Sequence, residues 1–206
     1  MSKQLFGTDG IRGPAGTYPL DDEGMVSIGK AVGDYFTQPG GLVLIGWDPR
    51  ESSERLVGGV VEGLVATGAD VRKLGVLPTP GLAYLTQRLD AKAGVMITAS
   101  HNPYTDNGVK VFTPDSRKLD DEAQTALNRL IEEDVPSRSG GKSGDDQQAL
   151  KIYEDFLVDS AGGASFSGLK LAVDSANGAT SGIAGRVFER LGASVRALAN
   201  QPDGRN

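Results

Sequence analysis

The chain has 206 residues, enough for a sizeable buried core, and its 38% hydrophobic and 23% charged residues are ordinary for a globular protein. A formal net charge of −6 argues against nonspecific nucleic-acid binding, and the absence of a long apolar run or signal-like start implies a cytoplasmic chain with no membrane partner. Zero cysteines exclude a disulfide scaffold and thiolate metal sites, and a single histidine excludes a histidine-cluster metal site.

Asp21 and Asp22 can cap a helix whose apolar side carries Met25, Ile28, Val32 and Phe36. Gly40-Gly41 then opens an apolar strand over 42–45. A helix from about 52 to 67 follows, with Leu56, Val57, Val60, Val61, Leu64 and Val65 on one stripe and Gly68 placed to stop it. A strand at 71–76, a helix near 82–89, and strands at 94–98 and 109–112 continue the alternation. Asp120 and Asp121 begin a further helix bearing Ala123, Leu127, Leu130 and Ile131. Residues 135–148, VPSRSGGKSGDDQQ, lack an aliphatic residue after the first and read as a flexible boundary between units 1–148 and 149–206. Beyond it, a helix with Ile152, Tyr153, Phe156 and Leu157 precedes one more βαβ unit, with strands at 169–173 and 195–198. The expected fold is α/β, a layered mixed sheet flanked by helices.

The glycine count of 29 is about twice the usual share of roughly 7%, which implies turns, close backbone approaches or phosphate-binding loops. Three polar stretches stand where strands end. Thr98-Ala99-Ser100-His101-Asn102-Pro103 directly follows an apolar strand, and ligands of open α/β sheets bind outside the carboxyl ends of strands. Ser100, beside the lone His101 and the amide of Asn102, fits a nucleophile or phosphoryl carrier, and residue types alone fit a plain turn as well. Asp106-Asn107-Gly108 reads as a tight hairpin-like turn feeding the strand that carries Lys110. That lysine either faces solvent from an edge strand or folds back toward Ser100 as a proton acceptor or phosphate counter-charge. Residues 6–13, FGTDGIRG, look too dense in turn residues for a strand. Their glycines would let backbone approach a ligand, and Arg12 can bind phosphate through its planar fork. Residues 173–180, VDSANGAT, run from a strand end to a helix start, where either anion binding or capping explains them.

FGTDGIRG at 6–13, ITASHNPYTDNGVKVF at 97–112 and LKLAVDSANGAT at 169–180 together resemble the α-D-phosphohexomutase superfamily, and within it the bacterial phosphoglucosamine mutase branch. The resemblance covers essentially the whole chain and implies domain I plus the beginning of domain II of that fold. It implies an isomerase in which Ser100 is phosphorylated and converts glucosamine 6-phosphate to glucosamine 1-phosphate through a 1,6-bisphosphate. Lys110 matches the general base, and His101 and Arg12 match residues around the phosphoserine. Thr8, Gly10 and Asn102 fall in the phosphate-binding segments. Mg²⁺ would sit on a phosphoryl oxygen of Ser100.

Ser175 replaces a cysteine of the family pattern, and Ser53 and Ser116 replace glycines. No DGDxDR metal loop and no GExSGH sugar loop occur in the sequence, so the aspartate ligands of Mg²⁺ are absent and the chain alone is expected to lack efficient mutase activity. The partners this implies are a phosphorylated hexosamine and either a second copy or a carboxy-terminal part supplied in trans. The alternatives are a short non-catalytic partner of a full-length phosphohexomutase, a sugar-phosphate-binding domain without turnover, and a piece of a phosphomannomutase/phosphoglucomutase.

Overall fold

The computed structural model describes residues 5–7, 9–133, 135–138 and 140–206. In chain order the elements are β1 (Ile11–Pro14), α1 (Asp22–Phe36), β2 (Leu42–Trp47), α2 (Ser53–Ala66), β3 (Asp70–Val76), α3 (Thr79–Arg88), β4 (Ala93–Ile97), β5 (Asp106–Phe112), α4 (Asp121–Glu132), β6 (Ser143–Asp145), α5 (Gln148–Asp159), β7 (Lys170–Asp174), α6 (Ala184–Arg190) and β8 (Ser194–Leu198). Two aspartate caps work as their positions imply. The Asp21 carboxylate accepts from Gly24 N at 2.9 Å and that of Asp120 from Ala123 N at 2.8 Å, each followed by an acidic first turn.

Six strands form one mixed sheet in the order β1-β5-β4-β2-β3-β6. Strands β2, β3, β4 and β6 run parallel, while β5 is antiparallel to both β4 and β1. Strand β4 is buried along its whole length, as a central strand covered on both faces must be. One face packs Val43, Ile45, Val95 and Val109 against the apolar stripes of α1, α2 and α4. The other packs Leu44, Met96 and Phe112 against Leu82 and Leu85 of α3 and Tyr153 of α5. Helices α1 and α2 cross closely enough that a Cβ on Gly63 would lie 2.1 Å from the Val26 carbonyl oxygen, so that crossing requires a glycine.

Three local expectations are corrected. Residues 11–14 form a strand after all, in register Ile11↔Val109 and Arg12↔Gly108. Asp106-Asn107-Gly108 is the start of β5 rather than a turn, and the real turn lies just upstream, where Asp106 N donates to Pro103 O at 3.0 Å. Residues 143–145 are not a loose connection but the edge strand β6, paired with β3 through its backbone and through an ion pair from Lys73 Nζ to Asp145 Oδ1 at 3.0 Å. In each case pairing with a distant strand outweighs the local turn preference of Gly, Asn and Asp.

Strands β7 and β8 form a separate two-stranded parallel sheet. Residue 149 lies in the first turn of α5, whose Ala149 and Tyr153 are buried in the same core cluster as Leu82, Leu85, Ile183 and Val187. Among the described residues, no helix is long and apolar enough to cross a membrane.

Candidate functional site

Strands β2 and β4 end side by side, and this places the segment after β2 against the loop after β4. Asp48 N donates to Ile97 O at 3.1 Å. The Asp48 carboxylate is buried and accepts from Thr98 Oγ1 at 2.6 Å, Arg50 Nε at 2.9 Å and Ser53 Oγ at 3.2 Å. Thr98 Oγ1 in turn accepts from Ser100 N at 2.9 Å. The Arg50 guanidinium donates to the carbonyls of Ser100, Asn102, Pro103 and Asp106. Buried Asn107 ties the base of the loop to α2, donating from Nδ2 to Ser52 Oγ at 2.9 Å and Ser53 Oγ at 3.1 Å.

Held in this way, Ser100 adopts φ 59°, a left-handed conformation uncommon for a residue with a side chain. Its side chain is exposed toward a cavity of about 620 Å³. His101 and Asn102 line that cavity with Ser100, and the Asn102 amide Nδ2 donates to Asp106 Oδ2 at 2.9 Å. Thr79, the first residue of α3, and the 176–179 turn after β7 form other parts of the wall. Glu51 fastens the 204–205 turn there, accepting from Arg205 Nε at 2.9 Å and Nη2 at 2.6 Å, while Glu51 N donates to Gly204 O at 3.0 Å.

Lys110 lies in an adjoining smaller cavity, with Gly10, Asp9 and Lys118, and Thr79 borders both cavities. Strand β5 is flanked by β1 and β4, so the edge-strand reading of Lys110 is corrected. Its register partner is Met96, which lines the larger cavity, and paired residues of antiparallel strands share a face. Arg12, paired with Gly108, lies diagonally across from Lys110 on that face. Burial, followed by repulsion from Arg12, holds the Lys110 ammonium below its ordinary range. Asp9 is held low by its hydrogen bond to Lys118. Among the described residues neither Arg12 nor Lys110 forms an ion pair, and Arg12 Nε is buried without a hydrogen-bond partner. Gly10 is required for a reason the sequence did not suggest. At φ 82°, a Cβ there would lie 2.2 Å from the Val109 carbonyl oxygen, so the close approach is to β5 rather than to a ligand. Thr8 lies outside the described residues.

The structure therefore brings Ser100, His101 and Asn102 together at one cavity and places Lys110 and Gly10 at the adjoining one, with Arg12 on the same sheet face as Lys110. Asp48, Arg50, Glu51 and Arg205 were missed as site residues. The signal for the first three was the polar segment 46–53, GWDPRESS, at a strand end, in which Ser53 stands for a glycine of the family pattern. Among the described residues no three His, Cys, Asp or Glu side chains cluster to hold a metal. Ser100 Oγ alone does not make a Mg²⁺ cage, and the nearby Asp48 carboxylate already accepts from four donors, Thr98 Oγ1, Arg50 Nε, Arg50 N and Ser53 Oγ, so the residues present do not fit the ion.

Residues 3–137 match the family model described as phosphoglucomutase/phosphomannomutase, alpha/beta/alpha domain I. The chain is 47% identical over 206 residues to a phosphoglucosamine mutase of Thermus thermophilus, covering 99% of this chain and 47% of that protein. It is 46% identical over 210 residues to one of Alcanivorax borkumensis, covering 100% of this chain and 47% of that protein. A crystal structure of a phosphoglucomutase/phosphomannomutase family protein from Burkholderia thailandensis superposes with a TM-score of 0.84 at 29% identity, over 100% of this chain and 46% of that one. The chain thus spans about half the length of the curated relatives it matches. A serine loop at a strand end, a fold that superposes on a solved member of the family and a family match over residues 3–137 lead to one assignment: the chain belongs to the phosphoglucomutase/phosphomannomutase family.

Proposed function

We propose that this chain provides the phosphoserine part of a phosphoglucosamine mutase, which interconverts glucosamine 6-phosphate and glucosamine 1-phosphate through a 1,6-bisphosphate. The observation that carries the proposal is Ser100, fixed at φ 59° and exposed at the edge of a cavity, with Lys110, which forms no ion pair among the described residues, in the adjoining one. In this reading Ser100 Oγ carries a phosphoryl group. A hydroxyl of the sugar phosphate attacks the phosphorus, the new O–P bond forms as the Oγ–P bond breaks, and the proton lost by that hydroxyl, held in between by Lys110, is passed on to the Ser100 oxygen. Lys110, easier to deprotonate than an ordinary lysine, accepts the hydroxyl proton. Arg12 offers its fork to a phosphate, and phosphoryl transfer depends chiefly on such positioning and charge neutralisation. The bisphosphate then returns its other phosphate to Ser100 by the reverse of this step. No step runs through Mg²⁺ here, because the described residues form no cage for it.

The direct test joins this chain to the remaining half of the Thermus thermophilus relative, as a fusion and in trans, and follows glucosamine 1-phosphate formation. Turnover that Ser100→Ala abolishes supports the proposal. A folded fusion without turnover, or activity that survives Ser100→Ala, overturns it. Preferential turnover of mannose or glucose 6-phosphate would reassign the substrate within the family.

A further inference from the structure

We propose that Arg50 is the positioning residue for Ser100 and is not a phosphate ligand, an inference that rests on the phosphoserine reading above. An arginine lining a cavity beside a serine nucleophile would ordinarily be assigned to substrate binding. The hydrogen bonds argue otherwise. A guanidinium has five N–H donors. Nε donates to Asp48 Oδ2 at 2.9 Å, Nη1 to Pro103 O at 2.5 Å and Asp106 O at 3.0 Å, and Nη2 to Ser100 O at 2.8 Å and Asn102 O at 3.0 Å. Every donor is taken by this chain, and the side chain is only 10% exposed. None remains for a phosphate.

The placement of the five bonds gives the group its role. The peptide group after Ser100 is gripped at its carbonyl by Arg50 Nη2, and the peptide group before it is gripped at Ser100 N by Thr98 Oγ1. Fixing both flanking peptide planes fixes φ and ψ at Ser100 and therefore the direction of its Cα–Cβ bond. Both grips end on one atom, since Thr98 Oγ1 and Arg50 Nε each donate to Asp48 Oδ2. The remaining bonds, to Asn102, Pro103 and Asp106, close the loop around the same fork. A planar five-donor group spans these carbonyls; an ammonium, with three donors on one atom, does not.

The test compares Arg50→Lys and Arg50→Gln with the parent chain. In the 206-residue chain, amide hydrogen exchange at Ser100, Asn102 and Asp106 should speed up by about tenfold or more in both variants, with β2 and β4 unchanged. Arg205→Lys, at another part of the same cavity, should leave those amides alone. In the fusion enzyme, kcat should fall about a hundredfold, as expected for a misplaced nucleophile, while KM for glucosamine 6-phosphate stays the same. A raised KM with kcat preserved would make Arg50 a phosphate ligand and overturn the proposal. So would unchanged loop exchange, or global unfolding of both variants. An inactive parent fusion would count against the mutase reading, and the exchange data would still decide the role of Arg50.

Discussion

Replacing Ser100 by glycine should stabilise this chain while removing its nucleophile, and the contrast with alanine isolates the reason. Ser100 sits at φ 59°, where a Cβ-bearing residue is disfavoured by about 1–2 kcal/mol. Glycine removes that penalty but adds freedom to the unfolded chain, which offsets about 0.5–1 kcal/mol. The Ser100 hydroxyl is exposed and makes no hydrogen bond among the described residues, so its loss subtracts little. The net gain for Ser100→Gly is then about 0.5–1 kcal/mol, or roughly 1–4 °C in thermal midpoint for a chain of this size. Ser100→Ala keeps the strained backbone and should melt with the parent. Calorimetric scans of the three proteins under one buffer decide the matter. A glycine variant melting no higher than the alanine variant would show that the loop does not hold Ser100 in a strained conformation.

Nζ titration by NMR should place Lys110 below the ordinary lysine value of 10.5, and Arg12→Met should move it only part of the way back, because burial is the larger cause. Between the folded value and 10.5 the unfolded chain holds more protons at this site, so Lys110 makes stability rise with pH across that window; a Lys110→Met difference curve that falls there would contradict the assignment. Asp48→Ala should destabilise the chain by about 3–5 kcal/mol in urea titrations, since it leaves the buried Arg50 fork without its charge partner, and a loss below about 1 kcal/mol would refute the anchoring role. Calorimetric titration of the chain with Mg²⁺ should show no site tighter than about millimolar, and a stoichiometric tighter site would mean that carboxylates converge where the structure shows none.

The layered architecture was legible because its signals are local. Strand β4 is entirely apolar, α1 and α2 repeat their apolar residues at helical spacing, and Asp21 and Asp120 stand at helix starts and cap them. Strands β1 and β6 were not legible, because neither is apolar along its length and each exists only through a partner, β5 and β3 respectively. Asp106-Asn107-Gly108 misled for the same reason. The buried Asn107 spends its amide on Ser52 and Ser53, contacts no window of sequence could show. Ser100 stood out through the polar loop after an apolar strand. The residues that orient it did not, because the Arg50 and Thr98 contacts each bridge about fifty positions of chain.

The same long-range pairing resolves how an acidic chain can present a cationic site. The nearby carboxylates are already engaged: Asp48 by Arg50, Thr98 and Ser53, Asp9 by Lys118, and Glu51 by Arg205. Surface acids farther away are screened over roughly 8–10 Å at physiological salt, so the formal charge of −6 says little about the cavity. Among the cations, Arg50 is consumed by the serine loop and Arg205 is tied to Glu51. Among the described residues Arg12 and Lys110 are left, the one with a buried unpartnered Nε and the other held below the ordinary basicity of a lysine by burial and by its neighbour. A phosphate dianion between them would relieve the repulsion that lowers Lys110. Two like charges on one sheet face thus stand where a phosphate of the kind Ser100 is proposed to carry would neutralise them.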